Sequence, residues 1–499
     1  MSTITVRSTQ RAPKSCTACA RRKVKCDKSV PCHQCLGRGE ALHCKREVVR
    51  VRGNLVQAAG SGKVSRSYDE LLHENAVLRA LVADNGQVSG RRYSSQPSAD
   101  LGTPTCRHSK VSRTEEVERR LFEEISRSSI PRTVSRIEDV ILPSKDFSTT
   151  IVEHAFQWTF WLHFALFIPR FRQEHQDFWS RLSTASSLGE MSPSWLAVYF
   201  SVLASSLLFM DDNDTVGSRP QGVNFMSLLR NWYDSAVFFL DRADFMQNLD
   251  IRTPQAVTIL GIVSNNVGDV HRHQSLWAVA IRQAQQLNLG SDVHNENETL
   301  LEQQTRRRLW WTLVLCDWLA LPYRPFYIKD TDFSCQLPDE VDDEELSSAA
   351  GVTRLARSKP RPVRYHIAMA QVSKIYYRLQ HLVHLREWTV AEVAQFVFDA
   401  DEQLANLISD LPPYLQFDEV PTEMTRQRDL QYTFIPWQKK SLTEVLLYYR
   451  MAISRQLQDH WLDGSIHGAR TRAICISSAQ GLIHSTLAEN LDASKLRPW

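Results

Sequence analysis

Six of the chain's ten cysteines fall between residues 16 and 44. They are Cys16, Cys19, Cys26, Cys32, Cys35 and Cys44, spaced C-x2-C-x6-C-x5-C-x2-C-x8-C. No other feature limits the chain so tightly. Two Cys-x-x-Cys pairs this close together point to metal, because paired thiolates chelate one ion from a single turn. One tetrahedral zinc would use four thiolates and strand two. Two tetrahedral zincs need eight bonds, which six sulfurs supply only if two of them bridge. The bridging arrangement uses every cysteine and leaves a cluster charge of about −2, which nearby Lys and Arg would offset. One zinc with two spare cysteines stays open as an alternative, as does an iron–sulfur site, although the spacing is wrong for the latter. His33 and His43 lie inside the module and could substitute as ligands. With six sulfurs available they read as solvent-facing.

Charge is distributed unevenly along the 499 residues. Residues 1–52 hold thirteen Lys/Arg and three Asp/Glu, about +10, while the whole chain carries only +3. A basic head on a mildly acidic remainder suggests a nucleic-acid contact confined to one end. Met1 to Lys14 has no apolar stretch of signal-peptide length, so a reducing compartment is expected and a disulfide framework is not. The longest apolar run, Trp195 to Met210, contains Ser201, Ser205 and Ser206. At 1.5 Å per residue it would span about 24 Å, short of the bilayer core, and it reads as a buried helix.

The segment Cys16-Thr-Ala-Cys19-Ala-Arg-Arg-Lys-Val-Lys-Cys26-Asp, with Pro31-Cys32-His-Gln-Cys35 behind it, resembles the DNA-binding module of fungal binuclear zinc cluster transcription factors. The resemblance implies two zinc ions per chain, with Cys16 and Cys32 as the bridging sulfurs. It also implies recognition of CGG-type triplets in double-stranded DNA. Arg21, Arg22, Lys23 and Lys25 lie between Cys19 and Cys26, and chelation would hold their segment in a fixed direction, plausibly as one or two helical turns. Lys and Arg can donate to O6 and N7 of guanine in the major groove. The base contact would fall on Lys23, with Arg22 second. Arg21, Lys25, Lys28, Arg38, Lys45 and Arg46 would mainly meet phosphates, which set register rather than sequence.

The expected organisation is a zinc cluster over 12–48, a linker over 49–67, a short coiled coil over 68–83, a mostly unstructured joint over 84–149 and an all-α regulatory domain over 150–490. In the coiled coil, Tyr68, Asn75 and Val82 fit heptad position a, and Leu71 and Leu78 fit d. One Asn at a favours a parallel dimer at some cost in stability. Leu71, Asn75, Leu78 and Val82 are therefore the expected dimerisation residues, and a homodimer the expected state. The 23-residue stretch Lys45–Ser67 has no helical period, and a flexible chain of that length spans roughly 26 Å.

From Thr150 onward the sequence turns to long apolar segments of helical period, with no comparable set of alternating strands. Thr253-Pro254 reads as a helix start, Gly290 as a helix stop, and Thr389/Glu392 and Ser441/Glu444 as capping boxes. The block Ala280–Gly290 followed by Thr305-Arg-Arg-Arg-Leu-Trp-Trp to Asp317 is similar to the middle homology region of the same family, which implies an α-helical regulatory domain. At least one buried Arg–carboxylate pair is expected among Arg306, Arg307, Arg308 and Asp317. Cys106, Cys316, Cys335 and Cys475 are too scattered for a second metal.

No GxGxxG, GxxxxGK, HExxH or GxSxG motif is present. His271 and His273 beside Asp269 read as solvated, as does the acidic run Asp339–Glu345. The chain is therefore expected to be no enzyme and to have no membrane span. It is expected to be a nuclear regulator of RNA polymerase II transcription that meets the transcription machinery. A small-molecule effector is a further expected partner, and a secondary-metabolite gene cluster is the target by analogy. The alternative is a zinc-dependent scaffold that binds proteins, against which the basic residues inside the cysteine module speak.

Overall fold

In the computed structural model the described residues are 15–27, 32–38, 44, 49–51, 54–56, 105–106, 132–184, 187–210, 223–293, 298–319, 326–347, 359–462 and 464–487. They fall into two units that divide after Leu101. In the first, α1 (Thr17–Arg22) and α2 (His33–Leu36) are single short helices beside the cysteines. Strands β1 (Val49–Val51) and β2 (Asn54–Val56) pair antiparallel, Val49 opposite Val56. The linker expected from residue 49 thus contains a strand pair. Leu71, Asn75, Leu78 and Val82 lie outside the described residues.

The second unit is helical. Its helices are α3 (Lys145–Trp158), α4 (Phe160–His163), α5 (Ile168–Ser183), α6 (Pro193–Phe209), α7 (Phe225–Arg242), α8 (Arg252–Asn266) and α9 (Val270–Gln286). There follow α10 (Leu300–Trp318), α11 (Asp343–Ser347), α12 (Val363–Leu385), α13 (Val390–Asp410), α14 (Glu423–Gln431), α15 (Phe434–Ser454) and α16 (Ile466–Leu487). The apolar run is α6, buried from Ser194 to Phe209 and packed on α3, α7 and α8. Two of its serine hydroxyls bond to backbone carbonyls. Ser201 donates to the Ala197 carbonyl at 2.7 Å and Ser206 to the Ile151 carbonyl at 2.8 Å. Among the described residues no helix is long and apolar enough to cross a membrane.

Order begins before residue 150, against the expected unstructured joint. Strand β3 (Thr105–Cys106) pairs antiparallel with β4 (Trp388–Thr389). Residues 132–142 run along α7. The Thr133 backbone N–H and hydroxyl donate to Asp234 at 2.7 and 2.9 Å, and the Ile141 N–H donates to Asn231 at 2.9 Å. Asn231 returns a bond to the Asp139 carbonyl, and the Trp232 indole donates to the Ile141 carbonyl. The partners are about ninety residues away in sequence, so local composition carries no trace of them.

Three local expectations are corrected. Helix α8 starts at Arg252, with Thr253 buried inside its first turn rather than capping it. The chain after α9 turns at Asn288 (φ 56°), and Gly290 serves a different need. A Cβ there would sit 2.7 Å from the Trp310 ring, so glycine permits the close approach. Ser441 lies within α15, where its hydroxyl meets that of Tyr365 at 2.9 Å. Thr389/Glu392 does form a capping box, and so does Thr299/Glu302, which the sequence reading missed.

The acidic run is not a solvated loop. It supplies counter-charges to arginines of the body: Asp343 to Arg308, Glu340 to Arg364 and Glu345 to Arg361, with Lys359 at 3.4 Å from Asp342. Arg306 and Arg307 share Asp292, and Arg306 also holds Glu298 at 2.7 Å. The expected buried Arg–carboxylate pairing is therefore present. Asp317 instead accepts the backbone N–H groups of Tyr327 and Ile328, both at 2.9 Å.

Candidate metal centre and nucleic-acid interface

Each Cys-x-x-Cys pair sits at the start of a helical turn. Cys16 is the residue before α1, and Cys19 is its third residue. Cys32 and Cys35 hold the same places at α2. This spacing turns both thiols of a pair to one side. It also brings backbone N–H groups to sulfur: Cys19 N–H donates to Cys16 Sγ at 3.3 Å and Cys32 N–H to Cys44 Sγ at 3.1 Å. Asp27 accepts the His33 N–H at 2.8 Å and so ties the loop after Cys26 to the start of α2.

All six cysteines are buried. Their sulfurs form two groups of four, Cys16/Cys19/Cys26/Cys32 and Cys16/Cys32/Cys35/Cys44, with the atoms of each group within 4.8 Å of one another. Cys16 and Cys32 belong to both groups, 3.8 Å apart. Cys19 Sγ lies 3.5 Å from Cys32 Sγ, and Cys16 Sγ lies 3.8 Å from Cys35 Sγ. A tetrahedral zinc with sulfur bonds of about 2.3 Å places its sulfurs about 3.8 Å apart, so the donor set fits zinc in number, type and spacing. His33 is exposed and belongs to neither group. Among the described residues no further cluster of metal-ligating side chains occurs.

As bare thiols these groups resist ionising together. Burial, then contact with neighbouring thiols, pushes Cys19 and Cys35 up to about 12. Burial also raises Cys44 to about 12. At Cys32 the Cys35 N–H and adjacent thiols overcome burial and bring the group down to about 6. A bound divalent metal supplies the positive charge that lets all the thiolates share one buried site.

The basic side chains cluster at the end of α1. Arg21, Lys23 and Lys25 are exposed, and Arg22 is half-buried. Lys23 ends the helix in the left-handed region (φ 54°), with its N–H on the Ala20 carbonyl at 3.2 Å. This turn places Lys23 directly between the metal-pinned helix and the strand of chain returning to Cys26.

Residues 14–50 match the fungal Zn(2)-Cys(6) binuclear cluster domain, and residues 159–461 match the fungal specific transcription factor domain. The chain belongs to the fungal zinc-cluster transcription factors. A domain of this kind binds two zinc ions, and the family consists of transcription factors, not enzymes. The chain is similar to the probable transcription factor lepB of Aspergillus flavus, 23% identical over 75% of this chain and 69% of the relative. It also resembles the agnestins biosynthesis cluster transcription factor AgnL11 of Paecilomyces divaricatus, 22% identical over 74% of this chain and 59% of the relative. Transcription factor TAS2 of Pyricularia oryzae is 20% identical over 94% of this chain and 64% of the relative. The match thus spans less than two thirds of the last two relatives' own length.

Proposed function

We propose that this chain is a nuclear, sequence-specific regulator of RNA polymerase II transcription that binds CGG-type triplets as a homodimer. Cys16 and Cys32 bridge the two zincs, and Cys19, Cys26, Cys35 and Cys44 complete the ligand set. The observation that carries the reading is the six buried sulfurs pinning a helix whose exposed end bears Arg21, Lys23 and Lys25. A pinned helix offers its cations in one direction, as base readout requires, whereas a free basic tail supplies only phosphate attraction. Lys23 is the base reader, with Arg22 beside it; Arg21 and Lys25 meet phosphates. The heptad residues Leu71, Asn75, Leu78 and Val82 pair two copies. The printed roles of relatives such as AgnL11, a biosynthesis cluster transcription factor, support a secondary-metabolite gene cluster as the target.

Selection of bound duplexes from a random pool tests this. CGG-bearing sequences should be enriched, and Lys23→Ala should lower the preference for them by about 1–3 kcal/mol while leaving phosphate-driven binding in place. A pool with no enriched triplet, or an unchanged preference in Lys23→Ala, would remove Lys23 as the reader.

A further inference from the structure

Residues 132–142 form a strap along α7, and its hold is mostly polar. Thr133 grips the wholly buried Asp234 through its N–H and its hydroxyl, at 2.7 and 2.9 Å. Arg132 meets Asp241 at 2.9 Å on the surface. Val134 is buried, whereas Ile137, Val140, Ile141 and Leu142 are only partly buried against the core. A segment held by so few buried apolar side chains opens locally at less cost than the core beneath it.

Three hydroxyls lie between residues 132 and 144, on Thr133, Ser135 and Ser144. Two are engaged: Thr133 donates to Asp234, and Ser144 accepts the Phe147 N–H at 3.2 Å at the start of α3. Ser135 is exposed, and its hydroxyl makes no hydrogen bond among the described residues. Arg132 stands three residues before it and Arg136 directly after it, both exposed. The backbone at Arg136 is extended, with φ −134° and ψ 165°. Protein kinases of the basophilic class take their substrate as an extended segment and hold an arginine at the place of Arg132 against their own carboxylates. An unengaged hydroxyl behind such an arginine, on a strap that opens, meets those requirements.

The contacts around Ser135 also determine what a phosphate would do there. The N–H groups of Ser135 and Arg136 both donate to one carboxylate oxygen of Asp139, at 3.0 and 2.9 Å. These bonds close the short turn Ile137–Asp139, whose last carbonyl accepts from Asn231 of α7 at 2.9 Å. A phosphate on Ser135 adds a charge of about −1.5 to −2 on the residue that the Asp139 carboxylate already touches. It repels Asp139, competes for the same two N–H groups and draws Arg132 away from Asp241. Each effect undoes a contact that keeps the strap on α7.

We infer that Ser135 is a phosphorylation site for a basophilic protein kinase, and that its phosphate holds the strap off α7. The hydroxyl oxygen bonds to the γ-phosphorus of ATP as that phosphorus parts from the β-phosphate oxygen. ADP leaves, and the hydroxyl proton passes to the catalytic base of the kinase. The kinase acts on the lifted strap, and the phosphate keeps it lifted. The inference stands independently of the DNA reading.

Incubating the full-length protein with ATP and the catalytic subunit of cAMP-dependent protein kinase tests it. Peptide mass spectrometry locates the phosphate, and hydrogen exchange follows the peptides that cover Thr133 and Ile141. Ser135 should be modified, and those peptides should then exchange about tenfold or more faster, as expected for the loss of charged hydrogen bonds. Ser135→Ala, a change at an exposed side chain, should keep the slow exchange after the same treatment. Arg132→Gln frees the strap from Asp241 and so eases access, yet it should be phosphorylated about tenfold more slowly because the kinase loses a charged contact. No phosphate at Ser135 while a control peptide is modified, an undiminished rate in Arg132→Gln, or unchanged exchange in the phosphorylated protein would each overturn the inference.

Discussion

Cys16 and Cys32 are not equivalent to the other four cysteines, because only they belong to both sulfur groups. Replacing Cys32 with Ser should therefore cost both metals, whereas Cys26→Ser removes a sulfur from one group alone. Zinc content per chain, measured on purified full-length variants, checks this: near zero for Cys32→Ser and a clear remainder for Cys26→Ser. Equal loss in both would contradict the bridging assignment. This level of the site was legible in the sequence, since ligand type and spacing are a local code. The left-handed turn at Lys23 was not, because lysine carries no propensity for positive φ and the turn is imposed by closing the loop back to Cys26. Ser441 was misread for a related reason. A Ser followed by Glu three residues later signals a cap only at a helix end, and here the helix runs on to either side.

At the scale of elements, α10 and the acidic run form one electrostatic unit. Burial alone would raise Asp292, but hydrogen bonds from Arg307, the Gln336 N–H and Arg306 outweigh it and hold the carboxyl below its usual range. The Arg361 guanidinium lowers Glu345, and the Arg428 guanidinium lowers Glu419. Asp342 runs the other way, raised by burial. For the three depressed acids the folded state binds protons less tightly than the unfolded chain. Their stabilisation is complete above the unfolded value of about 4 and is lost as pH falls through it toward the folded value. Resistance to urea should therefore fall between about pH 5 and pH 3, and Asp292→Asn should flatten that slope. A wild-type slope in Asp292→Asn would mean that the pairing with Arg306 and Arg307 contributes no pH dependence. The arginines were legible as ion-pair formers. The partner of Arg308 was not, because Asp343 is 35 residues away and composition alone reads its acidic run as solvated. The order of residues 132–142 escaped notice likewise, resting on the distant Asn231 and Asp234.

Across the whole molecule, a basic head of about +10 within a chain of +3 accompanies a helical unit built around the wholly buried α6. The division of labour follows from these compositions. Thiols and cations are concentrated where metal and DNA chemistry belong, and apolar periodic sequence where a large core forms. The overall class was readable for that reason: patterning and cysteine spacing act over short range, and they decide which region becomes which kind of structure. Between these two regions, it is the zinc-held helix that is proposed to read DNA sequence. The most direct test of this measures zinc content and binding of the full-length protein to CGG-bearing and scrambled duplexes, before and after treatment with a chelator. Two zincs per chain, tighter binding to the CGG duplex, and loss of that preference when the metal is removed are the expected results. One zinc per folded chain, or a sequence preference that survives complete removal of zinc, would contradict that reading.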